Sequence, residues 1–375
     1  MLGGKRVCSR HNHSPARSRR HVTDQADSPA GHAIAATIAE LYLDPTVLPI
    51  LCSILNPTDP GTSCSLASVA SWADEIKRKK PWSSQMHYVN PVADHPPQLC
   101  LFPGAKGWEG KTDVNVLGAI RNTTDLLGRW VQEGSNPEDP VASEALKFLI
   151  HFVGDLHMPF HLVARAQGAN EVFVRWGTRK TRKHSRLQLF VGHSGKIELF
   201  VGLHAMWDVD LVERAIQTTP GEWDQPLDQA VESHLHGDDY DALIRKTLTG
   251  GIDKTWASEV DSWIQCPAVG TSQSHGGGPS DQTTLQSQWQ PSDTDDESVC
   301  PWHWASPIHQ ITCDWAWPKQ LDEPPYDEPQ GPLLQLDTKA YGGKVTQEWV
   351  VEKLLAMAGL RLAAILNLVF AHPQA

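Results

Sequence analysis

The 375-residue chain contains no run of twenty consecutive apolar residues, so no transmembrane span is expected. Nor does the segment Met1 to Ala30 hold an apolar stretch long enough for the core of a signal peptide. It is basic and rich in His, Ser and Arg, and it reads as a disordered or mispredicted N-terminal segment, 1–30. Positive charge is short as well. Against 44 Asp and Glu stand 32 Lys and Arg, a formal net charge of −12, the wrong sign for gripping long nucleic acid by its phosphates. A basic stripe is hard to find outside the N-terminus and the Arg175 to Arg186 segment. Cysteine is scarce, with seven residues, and none lies among the histidines and aspartates described next, so thiolate ligation there is excluded.

What the chain does have is clustered imidazole and carboxylate. His151, Asp155, His157 and His161 interrupt an apolar stretch, a costly arrangement unless something ligates or hydrogen-bonds them. His204 and Asp208 follow, one helical turn apart, the spacing two ligands of a single zinc need. His32, Asp74 and His87 add further nitrogen and oxygen donors inside apolar runs. Either cluster alone would be an ordinary hydrogen-bonded pair; together they point to a site for several metal ions. His151 and Asp155 share a helix face, whereas His157 lies about 200° round from Asp155 and reads as a packing histidine. Pro159 should end that helix and free His161 to turn towards a different ion.

Apolar spacing predicts helices over 31–43, 64–80, 113–133, 141–157, 203–218, 240–264 and 348–370. Val172 to Trp176 and Leu187 to Val201 read as a hairpin, giving an all-α domain with a small β appendage. Because the candidate ligands from His32 to Asp208 must converge, a single domain over 31–370 is expected, interrupted by disordered inserts at about 177–195 and 270–297. Setting Cys8 aside leaves Cys52, Cys64, Cys100, Cys266, Cys300 and Cys313, an even number that suits disulfides in an oxidising compartment. Spacing favours Cys52 with Cys64 and Cys300 with Cys313, although fifteen pairings are open. Asn122 begins a glycosylation sequon, which agrees with secretion.

The motifs GH…IAATIA, SVASWADEIK, MHYVN, HFVGDLHMPFH, LHAMWD and AGLRLAAILN, from Gly31 to Asn367, resemble in kind and order those of the zinc-dependent single-strand-specific nuclease and 3′-nucleotidase family of fungi and plants. That fold is related to bacterial zinc phospholipase C. The resemblance implies a helical domain with three zinc ions in a cleft. Asp74, His87, His151 and Asp155 would surround one zinc, Asp155 would bridge to a second held also by His32, and His161, His204 and Asp208 would hold the third. Where the family has an N-terminal tryptophan that completes the bridged site, this chain has Asp27.

The implied activity is cleavage of single-stranded DNA and RNA to 5′-phosphate products, and release of phosphate from 3′-mononucleotides, by attack of a zinc-bound hydroxide on phosphorus. Zinc would also offset the acidic surface where a phosphate binds. Lys77 matches a family position that neutralises the phosphate, so Asp74, Lys77 and Asp155 are the expected catalytic set. Tyr88 would stack on the base and Asn90 would hydrogen-bond it. Asn170 resembles the asparagine of a turn near the phosphate, although Ala169 replaces a glycine there. A secreted monomer without stable membrane association is expected. The alternatives are a phospholipase C-like lipid phosphodiesterase and a catalytically reduced zinc-binding relative lacking the tryptophan ligand.

Overall fold

The computed structural model describes residues 29–371 except 57, 60–62, 112–113, 178–187, 192–196, 268–294 and 323–332. Residues 1–28 of the expected N-terminal segment and most of both expected inserts therefore lie outside the described residues, while Pro29 and Ala30, assigned to that segment, begin the first helix. Asp295 to Glu297, assigned to the second insert, are ordered: the buried Asp295 carboxylate accepts the Trp302 and His303 amides at 2.8 and 2.9 Å, closing the first turn of the helix Pro301–Ile311.

The core is helical. Helix α1 (Pro29–Leu41) is followed by α2 (Val47–Leu55), the short α3 (Trp72–Ile76), α4 (Val116–Gln132) and α5 (Pro140–Leu156). Asn115 caps α4 by accepting from the Leu117 and Gly118 amides, and Asp139 caps α5 ahead of a proline at its first position. After a three-stranded sheet come α6 (Leu211–Thr218), α7 (Pro301–Ile311) and α8 (Val350–Phe370). The 21-residue α8 is long and apolar enough to cross a membrane by composition, but it packs across the core against α1 and α5 and buries Glu352 and Arg361. Gly359 lets α1 approach closely, since a Cβ there would lie 2.5 Å from Ile38 Cγ2.

Four expected elements differ. The helix expected over 203–218 runs as Leu203–Ala205, a π-helical Met206–Asp210 and Leu211–Thr218. The helix expected over 64–80 is a 3-10 turn, Leu66–Val69, followed by α3; that over 240–264 breaks into Asp241–Arg245, a π-helical Lys246–Thr255 and Val260–Ile264. Gly250 and Gly251 sit in the π segment, where Trp223, Trp349 and Trp256 leave no room for a side chain. The hairpin is a sheet of order β1-β3-β2, in which β3 (Ile197–Gly202) pairs antiparallel with both β1 (Phe173–Val174) and β2 (Gln188–Val191).

The disulfides are Cys52–Cys64, Cys100–Cys313 and Cys266–Cys300. The first pairing follows the spacing. Cys300 with Cys313 does not occur, because those residues flank opposite ends of α7, roughly 18 Å of helix, whereas a disulfide needs Cα atoms within about 7 Å. Asn122 is exposed on α4, but Thr124 of its sequon is buried and donates to the Ile120 carbonyl at 2.8 Å, so the sequon is helical rather than a loop.

Candidate metal centre

Helix α5 is the platform. His151 and Asp155, one turn apart, point from it into a buried space and are 0% and 1% exposed. Around Asp155 converge His87 Nδ1 at 2.9 Å from Oδ2, His151 Nε2 at 3.3 Å from Oδ2, His161 Nδ1 at 3.3 Å from Oδ1 and His32 Nε2 at 3.5 Å from Oδ1. Asp74, from α3, brings Oδ1 to 3.3 Å from His151 Nε2 and 3.6 Å from His87 Nδ1. His161, His204 and Asp208 form a further group whose ligand atoms lie within 4.8 Å of one another. So the structure brings together all eight expected ligands in three overlapping or adjacent sets: His32–His151–Asp155, Asp74–His87–His151 and His161–His204–Asp208.

Backbone carbonyls aim the rings. His151 Nδ1 donates to Ala70 O, His161 Nδ1 to His87 O and His204 Nδ1 to Gly168 O, each at 2.7 Å. A ring that gives its Nδ1 proton to a carbonyl keeps the lone pair of Nε2 for a metal, the usual arrangement behind a ligating histidine. His32 stacks on His151 with ring centroids 3.8 Å apart, and it can do so because Gly154 has no side chain: a Cβ there would lie 2.4 Å from His32 Nδ1. The Gly168 carbonyl is delivered by a turn in which Ala166, Gln167, Gly168 and Ala169 all have φ between 49° and 64°. Only glycine adopts that left-handed region without cost, so three of the four residues are strained to hold it.

These orienting groups escaped the sequence. Every residue has a carbonyl, so nothing marked Ala70 or His87 as the acceptor. Gly154 carried a signal, being a glycine inside an apolar helical run.

The electrostatics fit a cation. Burial and the neighbouring His151 lower the His32 pKa to about 3; burial takes His87 to about 4; burial and His161 take His204 to about 3. These rings are neutral at pH 7, as ligands must be. Asp155 is held well below the usual carboxylate range: burial alone would raise it, but His151, His161 and His87 outweigh that. His151 is the exception. Burial pulls it down, yet Asp155 and Asp74 together lift it well above an ordinary histidine. A proton there supplies positive charge to the buried Asp155 and the partly buried Asp74, and a divalent ion would replace it. The buried His32 Nδ1, His87 Nε2 and Asp155 Oδ1 have no hydrogen-bond partner. A mixed imidazole and carboxylate set of this kind matches zinc.

His157, on the other side of α5, is no part of this group. Its Nδ1 donates to Val153 O and its Nε2 accepts from Arg361 Nη1, both at 2.7 Å. Of the expected substrate residues, Lys77 reaches Asp74 Oδ1 at 2.6 Å. Tyr88 is 37% exposed immediately after His87, and Asn90 Nδ2 donates to Glu109 Oε2 at 3.2 Å. Asn170 Nδ2 donates to Gln167 O at 2.7 Å, closing the left-handed turn next to His204. The Glu109 partner was not anticipated. The fourth His–Asp–Cys grouping, Asp94, His309 and Cys313, offers no thiolate because Cys313 is bonded to Cys100.

Comparison with known proteins agrees with this geometry. The chain is 27% identical to "Endonuclease 2" of Arabidopsis thaliana over 344 residues, covering 91% of this chain and 89% of the relative. It is 25% identical to "Nuclease S1" of Aspergillus oryzae over 352 residues, 92% of each chain. With "Nuclease P1" of Penicillium citrinum it shares 29% identity over 205 residues, 54% of this chain and 66% of the relative. The family model for S1/P1 nuclease matches residues 28–371, a span that holds all eight converging ligands, and the chain therefore belongs to the S1/P1 nuclease family.

Proposed function

We propose that this protein is a zinc-dependent nuclease that cleaves single-stranded DNA and RNA to 5′-phosphate products and releases phosphate from 3′-mononucleotides. The observation that carries the reading is the convergence of eight imidazole and carboxylate side chains on one buried space, with three rings aimed by backbone carbonyls. His32, Asp74, His87, His151, Asp155, His161, His204 and Asp208 would hold zinc. When bound, zinc supplies Lewis acidity towards phosphoryl oxygen and brings the pKa of water towards neutrality.

The chain's own residues do the rest. Lys77, partly exposed beside Asp74, places positive charge where a phosphate approaches. It contributes a point charge rather than the bidentate fork of an arginine. Tyr88 offers a stacking face, and Asn90 keeps its carbonyl oxygen for a base while Glu109 holds its amide group. A base must leave its stack to lie on Tyr88, which favours single strands. This polar rim also favours a nucleotide over the apolar headgroup collar that a lipid phosphodiesterase would present. Three disulfides fit a secreted enzyme, which we read as a monomer.

The test is metal analysis with hydrolysis of single-stranded and duplex DNA and of a 3′-mononucleotide. The expected result is zinc in the ratio of one ion to each of the three groupings, with activity lost to a chelator and restored by zinc. Equal rates on duplex and single strand, or hydrolysis of phosphatidylcholine in place of DNA, would reject the reading.

A further inference from the structure

Between the candidate ligands Asp74 and His87 the chain places four consecutive cations, Lys77, Arg78, Lys79 and Lys80, followed by Pro81 and Trp82. In a chain of net charge −12 this is a local reversal that composition conceals. Lys77 turns inward to Asp74, whereas Arg78 and Lys79 are exposed where α3 ends. Trp82 is 55% exposed, more than any other large apolar side chain among the described residues. Lys80 sits 5.8 Å from its ring centre and is partly neutralised by Glu144 at 2.8 Å.

This surface is joined to the metal centre by a row of rings. Trp82 meets Phe148 at 5.8 Å, Phe148 stacks on Phe152 at 5.1 Å, and Phe152 meets the edge of His87 at 5.1 Å. Trp72 braces Phe148 from the side at 5.1 Å and carries Lys147 at 5.3 Å. The indole is therefore braced by Phe148 and approached by the Lys80 ammonium, yet remains 55% exposed, within a few nucleotides' reach of His87. A solvated helix end explains the lysines, but it does not explain a tryptophan left open to water beside them.

We propose that Arg78, Lys79 and Trp82, flanked by Lys80 and Lys147, form an outer track for single-stranded nucleic acid, with phosphates on the cations and one base on the indole. Combined cation and aromatic surfaces bind single strands without sequence preference. The track would give an acidic protein a grip on the strand beyond the nucleotide being cleaved. It rests on the nuclease reading above.

The test uses the zinc-loaded full chain and a fluorescent twelve-nucleotide oligothymidylate with phosphorothioate linkages, followed by anisotropy. Trp82→Ala is expected to weaken binding about tenfold, and Trp82→Phe to restore most of it. The double change Arg78→Ser with Lys79→Ser should reduce the slope of log Kd against log salt by about 1.4, roughly 0.7 for each single-strand phosphate that is no longer neutralised. Both effects should shrink towards nothing with a dinucleotide probe too short to span the surface. Wild-type affinity and salt slope in both variants would overturn the track while leaving the nuclease reading intact. Absence of both oligonucleotide binding and single-strand cleavage in the unaltered protein would overturn both. Equal weakening for dinucleotide and twelve-mer would mean that the substitutions disturb the inner site and would also overturn the track.

Discussion

Two buried histidine–aspartate groupings lie in the same core and differ in how their polar atoms are used. Asp94 and His309 satisfy each other at 2.9 Å, Asp94 accepts the Leu101 amide with its other oxygen, and Phe102 stacks on the imidazole. Around Asp155 four imidazoles compete for two carboxylate oxygens, while three of the rings in the centre already commit a proton to a backbone carbonyl. In the first grouping donors and acceptors match. The second keeps unpartnered nitrogen and carboxylate atoms at His32, His87, His151 and Asp155, which a proton on His151 relieves only in part and a bound cation would relieve further. Proximity of His to Asp is thus a poor marker of a metal site; the surplus of acceptors is the better one.

The largest contrast should come from removing one charge in each grouping. Asp155→Asn is expected to abolish retention of the ions that Asp155 serves and to drop hydrolysis of single-stranded DNA to background. Asp94→Asn should leave metal content unchanged and cost about 1.5–3 kcal/mol in urea unfolding, the worth of a hydrogen bond to a charged group. Loss of metal from the Asp94 variant, or a metal-replete Asp155 variant, would erase the distinction.

Acid should separate them next. In the metal-free protein His32, His87 and His204 titrate near 3 to 4, below the 6.5 of an unfolded histidine. Between these values the unfolded chain therefore binds more protons at the three rings, so their contribution is present above pH 6.5 and is lost as pH falls towards 4. His151, raised by Asp155 and Asp74, stays protonated across that window and loses its contribution only as pH rises beyond it. Zinc competes with the same protons, so its release should follow the same direction. Denaturant midpoints of the metal-free protein at pH 6.5, 5.5 and 4.5, with zinc retention measured in parallel on the loaded protein, check this; a midpoint that rises on acidification within that window would contradict it.

Gly154→Ala tests the close approach of His32. Its methyl would meet the imidazole at 2.4 Å, so the ring must shift, and metal analysis should show selective loss of the ion shared by His32 and Asp155. Retention of a full metal complement would show that the neighbouring ring yields without consequence. The smallest effect belongs to Ala169→Gly. Relieving one left-handed alanine at φ 64° should raise stability by about 1 kcal/mol with activity unchanged or modestly altered, seen as a shift in urea midpoint.

Much of the centre was legible in the chain because helices impose their own geometry. One turn between His151 and Asp155 fixed a shared face, two further residues turned His157 away towards Arg361, and Pro159 released His161. The run Lys77 to Lys80 is harder to see, since a net charge of −12 averages a short basic stretch away. Spacing likewise misleads for Cys300 and Cys313, because the helix that holds them apart, with Pro307 inside it, is not evident in the apolar pattern.

By itself the sequence determined the helical class, the identity of the ligand-type residues and the phase of those on a single helix, because each of these depends on neighbours within a turn or two. Only the tertiary structure decided which carbonyl aims which imidazole, that Glu109 holds Asn90, how the cysteines pair and where Trp82 stands relative to His87. Most of those contacts join residues tens to hundreds of positions apart, and even Trp82 and His87, near each other in the chain, are linked only through Phe148 and Phe152 of another helix. Their geometry is set by how whole helices pack, and no local pattern of side chains encodes it.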